Sequence, residues 1–328
     1  MTRGLRTLGR GSRGARLRNV AKLCVWLLLA VAGAPSALRA ERIDVVVTIK
    51  PIHSLVARVM EGVAEPTLLV EGSSSPHSFS LKPSHFRAIG MAGVFIRVSE
   101  RLEPFTGKIV RSLPDSVRLV TLADAPGIKL RNQRTTGTFE PHEHNHDAPP
   151  PDEGAGRDSH IWLDPDNAKA IGFYVGDVLG ERYPQHAARF KANAARLGAD
   201  IDALTAELEA VTTPLRDKPF VVFHDAYQYF DDRFDLDAVG SITVSPDVQP
   251  SAKRLSELRQ KIRSLQAVCV FAEPLFQPRL VAALTEGTDA RAGTLDPEGM
   301  SLSPGPQLYF TLMRNLAANL KGCLAPAM

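Results

Sequence analysis

The sequence predicts an α/β protein of two lobes, each with a parallel sheet flanked by helices, joined by a long rigid helix. Three observations predict it. Apolar β-rich runs alternate with helical patterns, which is how parallel strands with crossover helices read in sequence. The alternation occurs twice, over residues 44–122 and again over 220–320. Between the two sets lies a stretch, 166–211, that reads as helix throughout apart from a break at Tyr183-Pro184. The length of 328 residues suits two lobes at roughly 150 residues each.

Taken in order, the first set has strands at 44–49, 67–70, 94–98 and 117–122, with helices expected at 51–60, 83–91 and 103–113. The second set has strands at 220–223, 238–242, 267–272 and 292–295, with helices at 251–265, 278–286 and 304–320. The connector at 185–211 is Ala-rich and carries Phe190, Leu197, Ile201, Leu204 and Leu208 at helical spacing. At about 1.5 Å per residue it would run roughly 40 Å, a stiff strut rather than a flexible linker. The boundaries drawn from this are 41–183 for the first lobe, 184–213 for the connecting helix and 214–328 for the second lobe. One segment breaks the pattern. Residues 132–158 are rich in Pro, Gly, Thr and acid with no apolar period, and are expected to form a surface insertion in the first lobe.

Residues 1–40 stand apart from the fold. They hold eight basic residues and no Asp or Glu, then an apolar run from Leu23 to Val31, then Ala32-Gly33-Ala34. Basic, apolar and small, in that order, is the layout of a secretory signal peptide. Cleavage is expected after Ala40, with Ala34 as the alternative. The apolar run is shorter than the ~20 residues a bilayer span needs. The whole chain has 39 Lys+Arg and 36 Asp+Glu, formally +3. Removing the leader leaves 31 against 36, so the mature chain is −5. A mildly acidic exported chain gives no reason to expect nucleic-acid binding.

Two cysteines remain after cleavage, Cys269 and Cys323. An even pair in an exported chain is expected to form one disulfide, with two buried free thiols as the alternative.

All nine histidines lie in the mature part. His77 follows a strand, in a Ser-rich loop; His160 opens His160-Ile161-Trp162-Leu163-Asp164-Pro165 just before a helix; His224 directly follows the strand at 220–223. Ligands of parallel sheets collect outside the carboxyl ends of the strands. His77 and His224 take that position in opposite lobes, so an interlobe cleft would bring them together. Asp296, after Gly293-Thr294-Leu295, falls at the same edge. Three imidazoles with an optional oxygen ligand suit tetrahedral zinc. In the insertion, His142, His144 and His146 alternate with acids and form a candidate loose metal-binding tract. His53 is a candidate supporting residue, while His85 and His186 read as structural or exposed.

These segments carry a resemblance. Ile49-Lys50-Pro51, Ser75-Pro76-His77-Ser78-Phe79-Ser80-Leu81-Lys82-Pro83-Ser84, His160 to Pro165, Val222-Phe223-His224-Asp225-Ala226-Tyr227-Gln228-Tyr229-Phe230, Cys269-Val270-Phe271-Ala272-Glu273-Pro274 and Gly293-Thr294-Leu295-Asp296-Pro297 occur in this order along the mature chain. Together they resemble the ZnuA family, the periplasmic zinc-binding components of bacterial zinc-uptake ABC transporters, within the metal-specific solute-binding proteins. The resemblance implies two α/β lobes with metal in the cleft and ligands at His77, His160 and His224, with Asp296 matching the carboxylate of four-ligand relatives and a water or an open position as the alternatives. It implies a disulfide between Cys269 and Cys323 and a metal-associated loop at 138–157. It also implies a monomeric periplasmic carrier that hands Zn²⁺ to a membrane permease with its ATPase. Some relatives carry a Glu just before the first histidine; here Pro76 stands there and offers no side-chain ligand. An imidazole at position 224, where manganese-type relatives use carboxylates, favours zinc.

A rival from another class is a secreted zinc hydrolase, in which three histidines with an open position activate water. Glu273 and Asp296 are its only obvious general-base candidates, and no nucleophile or phosphate-binding motif accompanies them. An adhesin-like or metal-sequestering role on the same fold is a third reading.

Overall fold

A computed structural model of the chain describes residues 1–2, 42–134, 139, 156–243, 249–274 and 278–325. The expected leader, apart from its first two residues, and the tract His142, His144 and His146 lie outside the described residues. From Ile43 onward the chain clusters as one compact unit.

The first sheet contains β1 (Val45–Val47), β2 (Thr67–Leu68), β3 (Val94–Arg97) and β4 (Arg118–Thr121), in the order β2-β1-β3-β4. The second contains β5 (Phe220–His224), β6 (Ala238–Thr243), β7 (Cys269–Ala272) and β8 (Arg291–Thr294), in the order β6-β5-β7-β8. All pairings are parallel, and the two sheets repeat one topology. Nine helices join them among the described residues: α1 (Lys50–Val59), α2 (Pro83–Gly90), α3 (Thr106–Val110), α4 (Pro165–Arg182), α5 (Ala187–Thr212), α6 (Gln228–Phe234), α7 (Ala252–Ser264), α8 (Pro278–Thr285) and α9 (Leu308–Leu324). The two-lobed α/β fold is the one the sequence predicts. Among the described residues, no helix is long and apolar enough to cross a membrane.

Alternation along the strands sorts the core. In β1, Val45 and Val47 point into a large central cluster while Val46 joins a smaller outer one. In β5, Phe220 and Val222 face the central cluster, and Val221 and Phe223 face the outer layer made with Leu258, Ile262, Val281 and Leu284. Successive residues of a strand take opposite faces, so valine-rich runs covered on both sides are what parallel sheets require. The central cluster also takes in Ile52 and Leu55 of α1, Ile171 and Val175 of α4, Leu197 and Ile201 of α5, and Leu312 and Leu316 of α9. It therefore runs without interruption from one sheet to the other.

The helical stretch between the sheets is two helices, with the break at Tyr183-Pro184. α4 ends at Arg182, and a 3-10 turn at Pro184–His186 reverses the chain into the 26-residue α5. Proline at 184 cannot continue the hydrogen-bond ladder of α4. The two helices pack closely because α4 presents Gly172, Gly176 and Gly180 one turn apart. A Cβ at 172 would lie 2.8 Å from Leu197, and one at 176 would lie 3.1 Å from the Ala194 side chain.

Other boundaries also moved. The helix expected at 103–113 shrinks to Thr106–Val110, because Glu103 folds back and accepts from the amides of Val98 and Ser99. The last helix starts at Leu308 rather than 304, since Pro304 and Gly305, with φ 148°, hold a turn before it.

Cys269 of β7 and Cys323 of α9 form a disulfide across 54 residues. Closing a loop of that length removes about 4 kcal/mol of unfolded-state entropy in the chain-entropy model. Cys269→Ala with Cys323→Ala is expected to lower stability by about 2–4 kcal/mol, read as a lower urea midpoint. An unchanged midpoint would show that the helix is held by packing alone.

Candidate metal centre

Each expected site histidine is set by the end of an element. β5 terminates in His224, so its imidazole leaves the sheet at the carboxyl edge. His160 precedes the 3-10 turn Ile161–Leu163, which leads into α4, where the Asp164 side chain accepts from the amide of Asp166. His77 lies in the loop that follows β2, with its amide donating to Ser75 Oγ.

The three converge. One ligand atom from each of His77, His160 and His224 lies within 4.8 Å of the other two, and this is the only such group among the described residues. His160 Nε2 and His224 Nε2 are 3.4 Å apart. His77 Nε2 is buried and has no hydrogen-bond partner.

The opposite nitrogens are held by carboxylates. His160 Nδ1 is 2.7 Å from Asp158 Oδ1, which also accepts from the His160 amide. His224 Nδ1 is 2.6 Å from Glu273 Oε1, and Tyr227 donates its hydroxyl to the same oxygen at 3.2 Å. A carboxylate at Nδ1 fixes the proton there and leaves the Nε2 lone pair free, the arrangement metal-ligating histidines use. Two such lone pairs facing each other at 3.4 Å repel unless a cation sits between them. The donor set therefore fits a metal that accepts imidazole nitrogen.

Electrostatics separate the three rings. Burial, then the neighbouring His160 and His224, push the His77 pKa down to about 2. Burial opposes the charged form of His224 too, but the Glu273 carboxylate outweighs it and raises the pKa. Tyr227 is pushed well up by burial and by Glu273, so it stays a hydroxyl donor.

Asp296 stands elsewhere. Its carboxylate accepts from the amides of Glu298, at 3.1 Å, and Ser301, at 3.5 Å, and so orders its own loop. It does not belong to the group of converging ligand atoms. That loop is fastened to the first lobe, because Lys50 Nζ donates to the carbonyls of Met300 and Leu302 and Trp162 Nε1 to that of Pro297. His53 bonds the Pro66 carbonyl away from the site, and His85 accepts from the Lys82 amide at the start of α2.

Three site residues escaped sequence reasoning. Asp158 was hidden at the end of the insertion, although its place two residues before His160 is a usable signal. Glu273 was visible only as a hydrolase base, not as a partner of His224. Arg134 was not singled out at all. It forks onto Asp225 (Nε to Oδ1 2.9 Å, Nε to Oδ2 3.1 Å), next to His224, and sits 3.7 Å over the Phe139 ring.

A family model described as zinc-uptake complex component A, periplasmic, matches residues 45–323. The chain belongs to this family. The ZnuA protein of Brucella suis, a high-affinity zinc uptake system protein, is 44% identical over 88% of this chain and 94% of its own length. The ZnuA protein of Paracoccus denitrificans is 34% identical over 91% of this chain and 97% of its own. Among solved structures, a ZnuA crystal structure superposes with a TM-score of 0.71 at 22% identity, covering 87% of this chain and all of that one. A laminin-binding adhesin of Streptococcus agalactiae gives 0.70 at 24%, covering 86% of this chain and all of that one. The fold is thus common to these proteins. The ZnuA family consists of uptake components rather than enzymes, which sets aside the hydrolase reading.

Proposed function

We propose that the chain, exported by cleavage of its leader, captures Zn²⁺ in the periplasm through Nε2 of His77, His160 and His224. It then hands the ion to the membrane permease of an ATP-driven uptake system. The observation that carries the reading is the meeting of three imidazoles whose free nitrogens have no other partner, two of them aimed by buried carboxylates. An all-imidazole set suits zinc better than manganese or magnesium, which prefer oxygen. The buried charges of Asp158 and Glu273 offset part of the ion's charge without touching it. Family membership and the names of the curated relatives support zinc as cargo. A core that runs through both lobes favours small closure over a wide hinge, so release falls to the permease contact.

Calorimetric titration of the mature chain with Zn²⁺ tests this. One equivalent should bind tightly, and affinity should fall with pH. The sign follows from His224. Its pKa is raised, so below that value a proton occupies Nε2 and the metal must displace it. His77, held neutral down to about 2, adds no proton competition at ordinary pH. Affinity should therefore drop by about tenfold per pH unit for each proton displaced, with His224 contributing one. Affinity independent of pH between 5.5 and 8 would sink the assignment of His224.

A further inference from the structure

The three histidines line a cavity of about 190 Å³ whose remaining lining is unusual for a cation site. It includes Arg101, Gln133, Arg157 and Ser159, beside Leu102 and the carboxylates of Asp158 and Asp225, which are already engaged by His160 and Arg134. Arg101 touches the Gln133 side-chain oxygen, and Arg157 donates to Asn132 Oδ1 at 2.9 Å. Among the described residues neither guanidinium pairs with a carboxylate. Arg101 also lies flat on Gly156, where any Cβ would strike its guanidinium. The strap that carries Gly156 and Arg157 is itself tied down. The Gln133 amide donates to the Gly156 carbonyl at 2.7 Å, and the Asp158 amide donates to Arg131 O at 3.0 Å. Two positive groups thus line the cavity a dication would enter. Left alone, they oppose its capture.

An anion between the metal and the two arginines removes that opposition. The three imidazoles themselves line this cavity, so it is where a fourth ligand of a tetrahedral ion would come from. Asp296, the in-chain carboxylate at the same sheet edge, is engaged by amides of its own loop. Guanidinium groups favour carboxylates because their donors match the two oxygens. We propose that the cavity is a site for a small carboxylate anion, which gives one oxygen to the bound metal as fourth ligand and the other to Arg101 and Arg157. This rests on the three-histidine metal reading. It makes the cargo a ternary unit of protein, metal and anion. Chloride can ligate the metal but cannot bridge to the guanidinium donors in the same way.

The mature chain loaded with one equivalent of Co²⁺ tests the site, because the visible bands of cobalt report its fourth ligand. Acetate, chloride and perchlorate are titrated at matched ionic strength. A saturable band shift with acetate is expected. Arg101→Gln or Arg157→Gln should each raise the half-saturating acetate concentration by roughly tenfold, the effect of losing one charge-assisted hydrogen bond. The chloride response should move far less. Cobalt bound at the histidines with bands indifferent to acetate would overturn the anion site and leave the metal reading standing. So would an acetate response equal in wild type and both arginine variants, because the anion would then be held by the metal alone. Failure of the mature chain to bind Co²⁺ or Zn²⁺ at all would remove the metal reading, and the anion site with it.

Discussion

Replacing His77, His160 and His224 together with alanine is expected to abolish tight zinc binding while leaving the fold intact. The three rings pack mainly on one another and only at the margin of the central core, through Trp162 and Tyr227, so their loss costs binding more than packing. Graded variants make the result informative. Glu273→Gln and Asp158→Asn keep a hydrogen-bonding group at Nδ1 but delete the charge. Loss of such an outer partner weakens metal sites by about 10–100-fold, so each ligand histidine should cost more than either of these. Glu273→Gln should also move the pH dependence to lower pH. Without the carboxylate, burial pulls the His224 pKa down against only the smaller raising effects of Asp225 and Asp158. Competition against a chromophoric chelator measures the whole series. Tight binding that survives the triple replacement would rule out this site.

Arg134→Ala is expected to be among the most destabilising single changes outside the core, at about 3–5 kcal/mol, because it strands buried carboxylates without their counter-ion. The side chains of Asp225 and Asp231 are each 1% exposed, and Arg134 bridges them at 2.5 and 3.7 Å. Burial already pushes both carboxyl pKa values up, with Arg134 pulling the other way. Removing the arginine raises them further. A carboxyl whose folded pKa exceeds its unfolded value gives stability at low pH and loses it as pH rises through the folded value. The deficit of the variant should therefore grow from acid toward neutral pH, as followed by urea unfolding. A constant deficit would mean that the lost Phe139 contact, not charge, carries the effect. Since Asp225 adjoins His224, zinc affinity should fall as well.

Much of this architecture was legible in the sequence, for reasons that particular elements show. β1, β3, β5 and β7 are short, mostly apolar runs covered on both faces, the composition that parallel strands need. His224 could be placed at a strand end from the β5 run, and His77 from the run at 67–70. The misses share a different cause. α6 was overlooked because Asp231 and Asp232 interrupt its apolar stripe of Tyr229, Phe230 and Phe234, and Asp231 is buried only because Arg134 meets it. The pairs His224–Glu273 and Arg134–Asp225 span 49 and 91 residues. No local spacing rule reaches that far; only the shared strand order, which aligns the ends of β5 and β7, brings the first pair together. The reversal between α4 and α5 was visible as a proline, but the glycine face that lets the helices press together was not.

The continuous filling between the two sheets has a consequence for the life of the carrier in its compartment. Packing that crosses both lobes makes them melt as one, so neither lobe can protect itself while the other opens. Cargo that binds only the folded form then stabilises the entire chain, by an amount that grows with the logarithm of free zinc over its dissociation constant. The unloaded carrier is accordingly the one that proteases reach first.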